Sequence, residues 1–142
     1  MVGRLRRRAV EPVPSAVRVG ARDAVRHEGE GGLVALQLAG RNLDTPETKA
    51  CLDRAGLQKD AHARRVSAYS KGMRQKVGLA IALAKEARAV VLDEPSSGLA
   101  PSASHDLAVR VRELAAEGLA VLMASHDLFR ARETCDTVGL LV

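Results

Sequence analysis

Residues 89–126 read "AVVLDEPSSGLAPSASHDLAVRVRELAAEGLAVLMASH", and the changes of period within them decide the fold class. Ala89 to Leu92 form a short apolar run that exits through Asp93, Glu94 and Pro95, the pattern of a buried strand with a charged end. Beyond the loop "SSGLAPSAS" at 96–104, Leu107, Val111, Leu114 and Ala115 recur at helical spacing, and Gly118 stops the helix. "LAVLMAS" at 119–125 is a second apolar run of strand length, again read as buried. A short polar helix from about Asp127 to Glu133 then leads to "TVGLLV" at 137–142, an apolar third strand. This succession of strand, helix, strand, helix, strand predicts an α/β fold, a parallel sheet with flanking helices and right-handed crossovers.

Upstream lies "YSKGMRQKVGLA" at 69–80. Ser70 is a natural cap, and Met73, Val77, Ala80, Ile81 and Ala84 form a stripe suited to the core. Ser70, Gly72 and the cations Lys71, Arg74 and Lys76 also suit an anion, because the first amides of a helix are unsatisfied and its dipole is positive there. Further back, "LDTPETKACLDRAGL" at 43–57 reads as a helix with Thr45 as cap, Pro46 in its first position and Glu47 at its positive end. Thr48, Cys51, Leu52 and Ala55 share one face of it, and Gly56 closes it. "GLVALQLAG" at 32–40 is a further apolar stretch. The first thirty residues hold seven arginines against four acids, show no sustained period and break at "EPVPS", so a poorly ordered basic arm is expected. The expected organisation is the arm at 1–30 and a domain at 31–142. That domain divides into a helical part at about 31–87 and a strand-bearing core at about 88–142.

A length of 142 residues accommodates one domain with a real core. Hydrophobic residues at 46% and charged residues at 27% place the chain among globular proteins. It has no apolar run of about 18 residues, and no short apolar stretch follows the basic start, so the chain is expected to be cytosolic. Cys51 and Cys135 lie far apart without a CxxC pair; free thiols and no metal site are expected of them. The net charge of +5 is not gathered on one face, and Tyr69 and Phe129 are the only aromatic residues, so no nucleic-acid partner is expected.

In open parallel sheets, ligands gather at the carboxyl ends of the strands. The first strand ends at Asp93 and Glu94, of which one can hold Mg²⁺ through water while the other orients a nucleophilic water. The plainer alternative is a solvated acidic turn. The second ends at Ser125, His126 and Asp127, where an imidazole could meet a terminal phosphate or serve merely as a surface or capping residue. Both groups face one edge.

With the motifs in this order, residues 66–142 resemble the carboxyl-terminal part of the nucleotide-binding domain of ATP-binding cassette (ABC) transporters, and 31–65 do so loosely. The spelling Tyr69, Ser70, Lys71, Gly72, Met73 resembles the branch serving ABC-2 type exporters. The resemblance implies a partial P-loop NTPase fold with part of the helical subdomain. It matches Tyr69 to Met73 with the signature motif, whose Ser70, Lys71 and Gly72 would bind the γ-phosphate of ATP held by the opposite subunit, and Arg74, Gln75 and Lys76 with the segment after it. Ala89 to Asp93 match the Walker B strand with Asp93 on the Mg²⁺ side, Glu94 the general base, Ser96 to Pro101 the D-loop and His126 the switch histidine. ATP and Mg²⁺ as cofactors, a second nucleotide-binding domain, a membrane-spanning permease and a place at the inner face of the cell membrane are implied with it.

The chain departs from the family pattern in several places. Ala100 stands where the D-loop usually carries an aspartate. No GxxxxGK[ST] occurs, and the glycine cluster "GEGG" at 29–32 has no lysine or hydroxyl after it. No aromatic residue precedes Tyr69 to stack on adenine, and Gln37 does not align with the glutamine-bearing loop. The expectation is therefore the ATP-binding and ATP-hydrolysing subunit of an ABC transporter, of exporter type, in a truncated or divergent form that is inactive alone. The alternative is a non-catalytic module that donates its signature motif in trans to a complete ATPase. A chromosome-maintenance or repair ATPase is disfavoured because no long heptad insertion interrupts the chain.

Overall fold

The computed structural model describes residues 16–19 and 45–140. They form strand β1 (Ala16–Val19), helix α1 (Thr45–Arg54), two short 3₁₀ turns, α2 (Lys71–Ala84), β2 (Ala89–Asp93), α3 (Pro101–Ala116), β3 (Ala120–Ala124) and α4 (Leu128–Thr134). The three strands make one parallel sheet in the order β1-β2-β3. Helix α3 is the crossover between β2 and β3, as the change of period predicts. "GLVALQLAG", "GEGG" and Gln37 lie outside the described residues.

Helix α2 forms where its local chemistry says it should. Ser70 takes extended dihedrals and its hydroxyl accepts from the Met73 amide at 3.2 Å, which satisfies one of the orphan donors of the first turn. Val77, Ala80 and Ala84 are buried as the stripe predicts, while Met73 and Ile81 pack against the core from partly exposed positions. The helix is more central than a single stripe suggests, since Gly72, Gln75, Gly78, Leu79 and Ala82 are buried as well. Helices α1 and α3 flank it, and Leu52, Leu79 and Leu114 meet Val90 and Leu92 of β2 in one cluster.

The described helices that precede β2 and β3 end alike. Gly56, Glu86 and Gly118 take positive φ, and the next residue's amide reaches back to Leu52, Ala82 and Leu114 respectively, at 3.0, 3.0 and 3.1 Å. Gly56 and Gly118 close α1 and α3 as read from the sequence. Glu86 does the same for α2 without glycine's freedom.

Three sequence expectations change. Ala16–Val19 fall within the segment expected to be a poorly ordered arm, yet they pair with β2 from Ala16 opposite Ala89 to Val19 opposite Leu92. Four residues, "AVRV", are too few to register as a period among so many arginines. The strand β3 is not buried on both faces: Ala120, Leu122 and Ala124 are exposed and only Val121 and Met123 pack against the core. Finally, residues 137–140 form no strand, and Val138 and Leu140 are exposed; apolar composition offers a strand, but pairing makes one.

Candidate functional site

The carboxyl ends of β2 and β3 bring Asp93, Glu94 and His126 to one edge. Asp93 closes β2 opposite Ala124, and its side chain is exposed. Glu94 follows with φ +46, and its amide donates to the Ala124 carbonyl at 2.9 Å, so the backbone stays attached to β3 as it leaves the sheet. One carboxylate oxygen, Glu94 Oε1, then receives both the His126 amide at 2.9 Å and the His126 ring through Nδ1 at 2.8 Å. The Glu94 hydrogen bond, and after it the Glu94 charge, hold the His126 pKa above its ordinary value of 6.5; Asp127 adds to the rise and desolvation opposes it. The imidazole side chain is 78% exposed, so its other face is open to solvent. Asp127 caps α4 by accepting from the Arg130 amide at 3.1 Å.

The group at the start of α2 is arranged differently. The Ser70 hydroxyl serves as the cap, Gly72 is buried against Ala103 and Leu99, and Lys71 is exposed with its ammonium donating to the Ser97 carbonyl. One turn further on, the buried Gln75 donates through Nε2 to the Pro95 carbonyl at 3.3 Å. Tyr69 is buried and its hydroxyl donates to the Ala61 carbonyl at 2.6 Å, which fixes the entry to the helix. Among the described residues, no hydrogen bond or ion pair runs directly from Ser70 or Gly72 to Glu94 or His126. The connection is made by the loop 95–99, which starts beside Glu94 and is gripped by α2.

Among the described residues no cluster of three or more His, Cys, Asp and Glu side chains is placed to hold a metal ion by itself. One or two carboxylates at a strand exit are nevertheless what Mg²⁺ takes from a protein when waters and phosphates complete its shell, and Asp93 with Glu94 provides that donor set. The fit to a nucleotide's own phosphates is poorer, because the sequence contains no GxxxxGK[ST] loop.

A family model described as "AAA domain, putative AbiEii toxin, Type IV TA system" matches residues 29–129. The ABC transporter ATP-binding protein YdbJ of Bacillus subtilis is 41% identical over 91 residues, 63% of this chain and 29% of YdbJ. The chain belongs to the AAA-domain family and is a partial ABC ATP-binding domain. Two further relatives are each 39% identical: Nod factor export ATP-binding protein I of Rhizobium meliloti, over 63% of this chain and 27% of the relative, and the phosphonates import protein PhnC 3 of a Nostoc species, over 62% and 34%. The chain thus aligns with about a third or less of the curated relatives it matches. CbiO1 of Clostridium perfringens, part of the ABC transporter complex CbiONQ, superposes with a TM-score of 0.73 at 21% identity, over 84% of this chain and 50% of that one, which establishes the shared fold. No described helix is long and apolar enough to cross a membrane.

Within this ABC ATP-binding domain, sequence reasoning located the residues at the two strand ends but passed over two partners. Gln75 entered only as part of a segment, and Lys71 only as a charge for a phosphate. A buried polar residue one turn after Lys71, on a flank otherwise lined by small and apolar side chains, is the signal that points to the Gln75 contact.

Proposed function

We propose that this chain supplies catalytic and dimer-contact elements of an ABC transporter ATPase. The observation that carries the proposal is the Glu94–His126 pair at the carboxyl edge of the parallel sheet, next to Asp93. In this reading Glu94 is the general base: it accepts a proton from the water that attacks the γ-phosphorus in line, while the bond to the β-phosphate oxygen breaks and ADP leaves. Asp93 would hold Mg²⁺ through water, and the ion, when bound, would supply positive charge to the phosphates. His126 presents its exposed face to the terminal phosphate. The first turn of α2, with Ser70, Lys71 and Gly72, meets the γ-phosphate of a nucleotide held by a second nucleotide-binding domain, where free amides and a cation favour an anion.

The cycle is coupled to a membrane-spanning permease, which places the chain at the cytoplasmic face of the membrane. Export is the direction favoured by the signature spelling "YSKGM" and by the Nod factor relative, although PhnC 3 is an import protein. A second reading is a module that offers α2 in trans to a complete ATPase and does no chemistry itself; the exposed Ser70 and Lys71 at the first turn of that helix favour it.

One assay separates the two. ATP hydrolysis is measured for the chain alone, with a P-loop-bearing nucleotide-binding domain, and again with Glu94→Gln. Stimulation that Glu94→Gln abolishes supports catalysis by this chain. Stimulation that survives Glu94→Gln but falls with Ser70→Ala supports donation in trans, and no stimulation by any such partner sinks that second reading.

A further inference from the structure

Glu94 is held in the left-handed region at φ +46, which a residue with a side chain seldom adopts. Such a conformation is strained and persists only where its surroundings over-determine it. Part of that determination is backbone to backbone. The Glu94 amide is tied to Ala124, and its carbonyl accepts from the Ser97 amide at 3.1 Å, closing a turn over residues 94–97. The rest comes from α2. Lys71 and Gln75 stand four residues apart on one face of that helix, and they donate to two carbonyls of the same turn, Ser97 and Pro95. The fit at Lys71 is close: a Cβ on Gly98, itself at φ +65, would lie 3.1 Å from the ammonium nitrogen. Gln75 is 2% exposed, and the bond to Pro95 satisfies an amide that would otherwise be buried unpaired.

We propose that Lys71 and Gln75 are positioning residues that clamp the 94–97 turn to α2 and so hold Glu94 in its left-handed conformation. The turn bearing Glu94 and the first turn of α2 then move as one body. The clamp stands on geometry alone; only its consequence rests on the ATPase reading. That consequence is that a phosphate arriving at Ser70 and Lys71 is felt at the Glu94 backbone through two hydrogen bonds, those from Lys71 to Ser97 and from Gln75 to Pro95.

The test uses the full chain and amide hydrogen exchange at Glu94 and Ser97, compared among wild type, Lys71→Met, Gln75→Met, the double variant and Lys71→Arg. Methionine keeps length and removes the donor; arginine keeps a donor. The double variant is expected to lose about tenfold protection at both amides, each single variant less, and Lys71→Arg to keep most of it, while the α1 core around Leu52 stays protected. Unchanged protection in the double variant overturns the clamp, as does a Lys71→Arg chain that exchanges as fast as Lys71→Met. If the double variant loses protection throughout the core, Lys71→Met decides, since Lys71 is exposed and its replacement leaves no buried group unpaired. The hydrolysis assay reports separately. Stimulated turnover with unchanged protection sinks the clamp and leaves the ATPase reading, whereas lost protection with no turnover under any pairing does the reverse.

Discussion

The two faces of the sheet differ sharply. On one, Val90 and Leu92 of β2 are 0% and 2% exposed beneath the packed helices. On the other, Leu122 of β3, in register with Val91, is 68% exposed. The strands are alike in sequence character, so the difference lies in what covers them. A parallel sheet draws stability from the layer packed on it, and an uncovered apolar face is a surface for association.

Substitutions that contrast the two faces should therefore differ several-fold. Leu92→Ala on the covered face is expected to cost about 3 kcal/mol, read as a lowered denaturant midpoint with an unchanged slope. Next come the helices that form the cover. Ala100 is the N-cap of α3 and makes no side-chain cap bond, so Ala100→Asp should raise stability by about 1 kcal/mol, and Ser70→Ala at α2 should lower it by a similar amount. A fall in stability with Ala100→Asp would show that the family's aspartate serves something other than a cap here. On the open face, Leu122→Thr should change stability by less than about 0.5 kcal/mol while raising the concentration at which the chain stays monodisperse in light scattering. A cost like that of Leu92→Ala would mean that this face is covered after all.

The smallest effect belongs to His126. Its folded-state pKa is raised by Glu94, so its stabilising contribution is present below the ordinary imidazole value of 6.5 and is lost as pH rises through the raised value. The stability difference between wild type and His126→Gln should accordingly shrink as the pH rises from below 6.5 through the raised value, and Glu94→Gln should flatten it. Because the pair is exposed, the change should also fade with added salt.

What was legible in the sequence follows the range of the forces involved. The Ser70 cap, the Gly56 and Gly118 closures and the α3 crossover are set by neighbours along the chain, and they were read correctly. Asp93, Glu94 and His126 could be gathered on one edge because parallel strands end on the same side. The strand β1 escaped because its partner lies far along the chain. The cover on β3 escaped because an apolar run of five residues looks the same with one face packed or two. The clamp from Lys71 and Gln75 escaped for a third reason: its acceptors are backbone carbonyls, which every residue has and no motif marks.

The register of the sheet also carries a kinetic consequence. Ala89 pairs with Ala120 on one side and with Ala16 on the other, and the second pairing closes more than twice the length of chain. The extra closure entropy is only about 0.8 kcal/mol. It is nevertheless enough to set an order: the β2–α3–β3 unit, with its built-in crossover, is the natural nucleus, and β1 is the strand that docks last and opens first.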